Sequence, residues 1–380
     1  MPGSITTLKQ KLFLEITDTP DVLNQSHFPS LDGLRGLSII MVVIFHIILS
    51  YKFAYNFHSL ATLGVQFFFV MSGFLITTLL IKEKLNTGRI SYKNFYIRRF
   101  FRIIPAAYLY LIVITLLNYI LNLGMNFFAL LTSFLFVRNF FLYYGGVNHL
   151  TGHWWSLSVE EQFYLIFPFI LKKSINIYFS FLLFIIVASC LISISEFLAL
   201  TVHNPYVLFS IQLITQFQGI AVGSVFSILL FKGVIPIEKK IEHKNLVIAL
   251  LFLAIIGLTF IEVYSTNIVI LMECILFAII LLMNLKESSA GDYFYRFLNN
   301  KKMKLTGALS YSLYIWQQPF TLGLSHIHSR FLLNKFKSNL LYDLLITGVS
   351  FLILTLISYF SYYFYEKKFL KLKDNYKISF

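Results

Sequence analysis

The 380-residue chain is 58% hydrophobic and 18% aromatic, with 13% charged residues, where a soluble globular domain carries about a quarter. This composition excludes a soluble enzyme or binding module and indicates an all-α, polytopic integral membrane protein. The net charge of +14 does not indicate nucleic acid, because the lysines and arginines lie in short loops between apolar runs, as in loops facing an anionic inner leaflet.

Residues 1–30 mix Lys9, Lys11, Glu15, Asp18 and Asp21 with apolar side chains and have no continuous apolar stretch. They are neither a cleavable signal nor a span. They are expected to be a cytoplasmic segment, either a short in-plane amphipathic helix around Leu8 to Ile16 or a disordered tail. Apolar runs follow at Leu31 to Ser50, Leu60 to Ile81, Phe101 to Ile120, Phe127 to Tyr144, Trp155 to Leu171, Ile175 to Leu198, Val207 to Phe231, Leu246 to Tyr264, Ile268 to Leu285, Thr306 to Leu324 and Leu340 to Phe364.

Loop charge sets the expected topology. Lys82, Lys84, Arg89, Lys93, Arg98, Arg99 and Arg102 stand against Glu83 alone, which puts that stretch inside together with the N-terminus. The basic stretches around Lys172 and Lys173, Lys232 to Lys244, Lys286 to Lys304 and Glu366 to Lys377 belong inside as well. All agree only if the Phe127 to Tyr144 run, broken by Arg138, does not cross; if it spans, the later basic loops land outside. The expectation is about ten transmembrane helices in a domain over 31–366, a short basic tail at 367–380, and both termini on the cytoplasmic side of the plasma (inner) membrane. Cys190 and Cys274 each sit inside an apolar run, so neither a disulfide framework nor a metal site is indicated. Gly219 and Gly223 form a small-xxx-small pair that suits helix packing.

Chemistry concentrates in a few places. Arg35 and His46 are about 16 Å apart along one helix, with a basic group at the membrane edge and a titratable ring near the middle. Such a histidine either serves a cavity or packs by bonding to a neighbouring helix. Arg99 and Arg102, one turn apart on the same membrane side as Arg35, suit phosphate oxygens, while Arg98 reads as plain cytoplasmic anchoring. In HWWSLSVEEQFYLIFPFIL, Ser156, Glu160 and Tyr164 recur every four residues and share one helix face. Glu160 can orient or charge-balance His46 or bind a sugar hydroxyl; the alternative is an interhelical bond to Arg35 or Arg138. Glu161 points about 100° away, toward the interface. In LSYSLYIWQQPF, Tyr311, Tyr314, Trp316, Gln317 and Gln318 make either a polar cavity wall or an interfacial belt. Ser72 lacks the glycines of a nucleophile elbow and reads as a close-packing point.

LDGLRGLSIIMVVIFH, GVQFFFVMSGFLI, RRFFRIIPAAY, WWSLSVEEQFYLIFPFIL and LSYSLYIWQQP, in this order from Leu31 to Glu366, resemble the membrane acyltransferase-3 family. The resemblance implies a roughly ten-helix membrane enzyme moving an acyl group, commonly acetyl from acetyl-CoA, onto a hydroxyl of a cell-surface or exported carbohydrate or glycolipid, with no metal. Carried over by position, the family's arginine and histidine fall on Arg35 and His46, its arginine-x-x-arginine on Arg99 and Arg102, and its glutamate on Glu160. His46 would then be base or acyl acceptor with Glu160 as its partner, the arginines would hold CoA phosphates, and Ser156, Tyr164, Tyr314, Trp316 and Gln317 would line the substrate path. Two departures are Gln317, where the family often has histidine, and Lys367 and Lys368 after Glu366, where it often has a proline. The competing functional class is a transporter or flippase of a lipid-linked saccharide, with Arg35, Arg102 and Glu160 as gating charges; the lack of an inverted repeat opposes it.

Overall fold

The computed structural model describes residues 8–25, 27–49, 58–141, 150–197, 214–236, 241–261, 266–287, 291–321 and 340–376. Among these every regular element is helical. They are α1 (Leu8–Phe13), a 3-10 turn (Asp21–Leu23), α2 (Pro29–Leu49), α3 (His58–Thr87), α4 (Tyr92–Leu121), α5 (Phe127–Phe134), a second 3-10 turn (Arg138–Phe141) and α6 (Trp154–Lys173). There follow α7 (Ile175–Phe197), α8 (Gln218–Phe231), α9 (Lys244–Ile261), α10 (Thr266–Met283), α11 (Tyr293–Leu298), α12 (Lys301–Phe320), α13 (Leu340–Phe360), a π-helical turn (Ser361–Glu366) and α14 (Lys367–Asp374). Side-chain caps mark several starts: Asn126 accepts from Phe128 N at 2.9 Å to open α5, and Asn300 accepts from Met303 N at 2.8 Å to open α12.

Five stretches, Pro29–Ile47, Thr62–Thr87, Tyr92–Leu121, Ile175–Ile194 and Leu345–Asp374, are long and apolar enough to cross a membrane, and α8, α9 and α10 are apolar but shorter. Helices whose backbone groups bond internally are what a bilayer admits. A count of ten crossings goes beyond these five. The 20-residue helices α6 and α12 fall outside that group because polar side chains dilute their hydropathy.

Apolar side chains gain little by leaving lipid, so membrane helices associate where small residues let backbones touch. A Cβ at Gly307 of α12 would land on the Asp32 carbonyl of α2, and one at Gly223 of α8 on the Val70 carbonyl of α3. The small-residue pair expected at Gly219 and Gly223 thus seats α8 on α3. On the α3 side the close-packed residue is Gly73, against the Ile220 backbone, and not Ser72.

The run expected at Phe127 to Tyr144 is not a continuous helix. The eight residues of α5 rise about 12 Å, against a hydrocarbon core about 30 Å thick. The chain then turns at Phe136, with φ 52°, and lies against its neighbours: Tyr108 donates to the Phe134 carbonyl at 3.0 Å, and Gln162 Nε2 to the Phe136 carbonyl at 2.9 Å. Residues 142–144 lie outside the described residues, as does the start of the run at Val207.

The N-terminal segment is neither a free tail nor a helix over the whole of Leu8 to Ile16. Past α1 it runs over helix ends, held by lysines that reach its carbonyls. Lys82 Nζ donates to Leu23 O at 2.9 Å and Gln25 O at 3.2 Å, and Lys232 Nζ donates to Leu14 O at 2.8 Å and to Asn176 Oδ1 at 3.0 Å. At the other end the helix does not stop at Phe364. It widens into the π turn and continues through α14, with the buried Glu366 carboxylate accepting from Ser312 Oγ at 2.5 Å and Ser361 Oγ at 2.8 Å.

Candidate active site

Helices α2, α3, α4, α6 and α12 enclose a cavity of about 340 Å³, within the usual range for a small-molecule site. Its lining on α3 runs from Val65 to Leu79, about 21 Å of helix, so it is a slot rather than a bowl. One end is basic. Arg35, Arg99, Arg102 and Lys373 converge there with His27 and Asp32, and Asp32 accepts from Arg35 Nη1 at 3.1 Å and bonds the exposed His27 ring at 2.7 Å. Arg99 lies 4.3 Å over the Tyr164 ring, which orients its guanidinium by cation–π attraction. Arg102 projects into the cavity and is exposed there.

The expected helix face forms the next wall. Ser156, Glu160 and Tyr164 all line the cavity, since a four-residue spacing stacks them on one side of α6. Glu160 Oε1 accepts from Ser72 Oγ at 2.6 Å, and the charges acting on it are those of Arg99, Arg102 and Arg35. Ser72 therefore has a polar role in the wall that sequence reasoning missed. Arg98 turns elsewhere: it donates to Tyr376 O at 2.8 Å and pairs with Glu83 at 3.5 Å. Glu161 is half-buried and does not line the cavity.

The far end closes on a hydrogen-bonded knot. Ser156 Oγ and the Tyr314 hydroxyl lie within bonding distance of each other and, at 3.0 Å and 3.2 Å, of the His153 carbonyl, so two protons are shared among three contacts. His46 does not line the cavity. Gly64 packs on Ser38 and Val42, so the last α3 position of the slot, Val65, is level with Val42. His46 lies one further turn, about 6 Å, beyond it. Its Nδ1 bonds the Val42 carbonyl at 2.7 Å; against a carbonyl the nitrogen must donate, which makes Nε2 the basic nitrogen of the neutral ring.

Glu160 thus keeps company with Ser72 and the arginines. Around Tyr110 the rings of His153, Trp154 and Trp316 pack at centroid distances of 5.7, 5.3 and 5.3 Å. Trp316 and Gln317 are buried there rather than lining the slot. Among the described residues neither indole nitrogen of Trp154 and Trp316, and neither amide atom of Gln317, has a hydrogen-bond partner.

The profile of the family described as Acyltransferase domain matches residues 28–360. O-acetyltransferase OatA of Staphylococcus aureus (strain NCTC 8325 / PS 47) is 29% identical over 322 residues, 77% of this chain and 50% of the relative. A candidate O-acetyltransferase of the same species (strain COL) is 37% identical over 155 residues, 38% of this chain and 25% of that protein. The chain spans about half the length of OatA, and no solved structure matches it. The family profile covers α2, α3, α4, α6 and α12 around the slot and His46 beyond it: the chain belongs to the acyltransferase-3 family.

Proposed function

We propose that the protein is an integral membrane O-acyltransferase that moves an acyl group, most simply acetyl, from acyl-CoA to a hydroxyl of a cell-surface or exported carbohydrate or glycolipid. The observation that carries this is the slot: a basic mouth suited to phosphates, a narrow length suited to an extended thioester arm, and a histidine one turn past its closed end. Relatives named O-acetyltransferases support the chemistry. A volume of about 340 Å³ suits the arm and leaves the nucleotide at the mouth, where Arg35, Arg99 and Arg102 hold phosphate oxygens.

In this reading the arginines bind and orient the donor, and Ser156 and Tyr314 face the thioester at the closed end. His46 Nε2 takes the proton of the acceptor hydroxyl, whose oxygen attacks the acyl carbon. Direct transfer and an acyl-histidine route both fit that position. Glu160, grouped with Ser72 and the arginines, acts as a counter-charge that sets the arginine geometry rather than as the partner of His46. Trp316 and Gln317, outside the slot, belong to the acceptor side. Ten crossings, with both termini on the cytoplasmic face of the plasma (inner) membrane, follow from the basic loops and from an α5 too short to cross.

The test is free-CoA release from acetyl-CoA by the detergent-purified protein, with and without a mixed glycan extract, for the parent and His46→Ala. Release by the parent and loss in the variant, at equal thermal stability, is the expected result. Equal release by both removes His46 from the chemistry. Silence from both across several acyl donors, with no CoA binding, favours transport of a lipid-linked saccharide.

A further inference from the structure

The basic segment after the π turn packs onto the site instead of leaving it. Phe369 and Lys373 of α14 are four residues apart, and Tyr376, just past the helix end, follows three later, so the three share one face. That face packs on α4. The Phe101 ring stacks with Phe369 at 6.5 Å and with Tyr376 at 6.4 Å between centroids, and Arg98 Nη1 donates to Tyr376 O at 2.8 Å. Lys373, between those two rings in sequence, lines the mouth of the slot with Arg35, Arg99 and Arg102. The other lysines of α14, Lys367, Lys368 and Lys371, are exposed and line no part of it. Four arginine and lysine side chains thus line the slot against the two carboxylates of Asp32 and Glu160, a surplus that a bound polyanion neutralises. A lysine that only met an anionic leaflet would gain nothing from a place on this wall, where the arginines repel it.

We propose that Lys373 is a donor-binding residue that recognises the phosphate on the ribose of acyl-CoA, the phosphate farthest from the thioester. This rests on the acyl-transfer reading with CoA as donor. In that donor the diphosphate joins the pantetheine arm directly, and the ribose phosphate lies beyond it. With the arm threaded into the slot, the diphosphate comes first and meets Arg35, Arg99 and Arg102 on the helices that wall it. The ribose phosphate comes last and meets Lys373, carried by the segment laid against α4 at the mouth. A flexible ammonium serves a single terminal phosphate as a point charge, while planar guanidinium forks serve the linked pair. The segment is then a wall of the donor site, and Phe101 and Arg98 hold it in place.

The experiment is calorimetry of the detergent-purified full chain with CoA and with dephospho-CoA, which lacks that phosphate. It compares the parent, Lys373→Ala, Lys373→Arg and Lys371→Ala, with thermal unfolding as the control for folding. The parent should bind CoA about tenfold or more tighter than dephospho-CoA, the worth of one hydrogen bond between charged groups. Lys373→Ala should lose that difference, binding CoA more weakly by the same factor and dephospho-CoA as the parent does. Lys373→Arg should keep most of it, and Lys371→Ala all of it. A parent that binds both ligands equally overturns the proposal. So does a Lys373→Ala protein that weakens both alike, or a Lys371→Ala protein that matches its loss, since the lysine would then act through the fold or through net charge. If the parent binds neither ligand, the reading of CoA as donor falls and takes this assignment with it; if the parent binds CoA and Lys373→Ala binds it as tightly, only the role of Lys373 falls.

Discussion

The two ends of the passage differ in how their polar groups are satisfied. At the basic end most groups are held by protein, Arg102 excepted: Asp32 holds Arg35 and His27, Ser72 holds Glu160, and Tyr164 lies under Arg99. At the histidine end, Trp154, Trp316 and Gln317 are buried with side-chain polar atoms that no described residue completes. Each such atom costs about 1–3 kcal/mol. A binding site for a strongly charged ligand is stable when preorganised, because its own counter-charges hold it until the ligand arrives. A site for neutral hydroxyls keeps its donors and acceptors open, and the rigid contacts around Tyr110 offset that cost.

This contrast can be broken from either side. The largest effect is expected from His46→Ala, with a drop in acetyl-CoA turnover of about 10³-fold or more and unchanged CoA binding by calorimetry; a matching loss of CoA affinity would mean that the two ends are not separate. Gly307→Leu comes next. It pushes a side chain into the Asp32 carbonyl at the α2–α12 contact, and overpacking of this kind costs about 1–3 kcal/mol or more, read as a lower unfolding temperature in detergent. Arg102→Ala should raise the KM for acetyl-CoA by about 10–100-fold, the worth of one charged hydrogen bond, and leave kcat nearly intact; a collapse in kcat alone would move Arg102 into the chemistry. Trp316→Phe is expected to be the mildest. It removes an unpartnered N–H while keeping the ring against Tyr110, so donor KM should stay within about twofold while acceptor KM rises.

Much of the architecture was legible in the sequence. Loop arginines and lysines, long apolar runs and the small-residue pair at Gly219 and Gly223 carry their information locally, one helix at a time. So does the four-residue recurrence of Ser156, Glu160 and Tyr164, which puts all three on the slot wall. The misses share a different cause. Glu160 and His46 read as partners because each is a titratable group in an apolar helix, but nothing in either helix states which neighbours it meets. Ser72 looked inert for want of a motif, and its bond to Glu160 links residues 88 positions apart. His153 could have been noticed as a histidine one residue ahead of an intramembrane helix, yet its packing against Tyr110 and Tyr314 depends on how α4, α6 and α12 converge.

By itself, the sequence determined that the chain lives in a membrane, which stretches are helical, and which face of α6 is polar, because composition, helical period and backbone caps act over a few residues. Only the tertiary structure decided that Ser72 and Glu160 bond across the slot wall, that α5 does not continue far enough to cross, and that His46 lies beyond the closed end of the slot. Those outcomes depend on glycine-sized gaps such as Gly307 against Asp32 and Gly223 against Val70. Such gaps set which helices touch and at what height, and apolar periodicity cannot encode height when lipid and a neighbouring helix are equally good surroundings for a leucine.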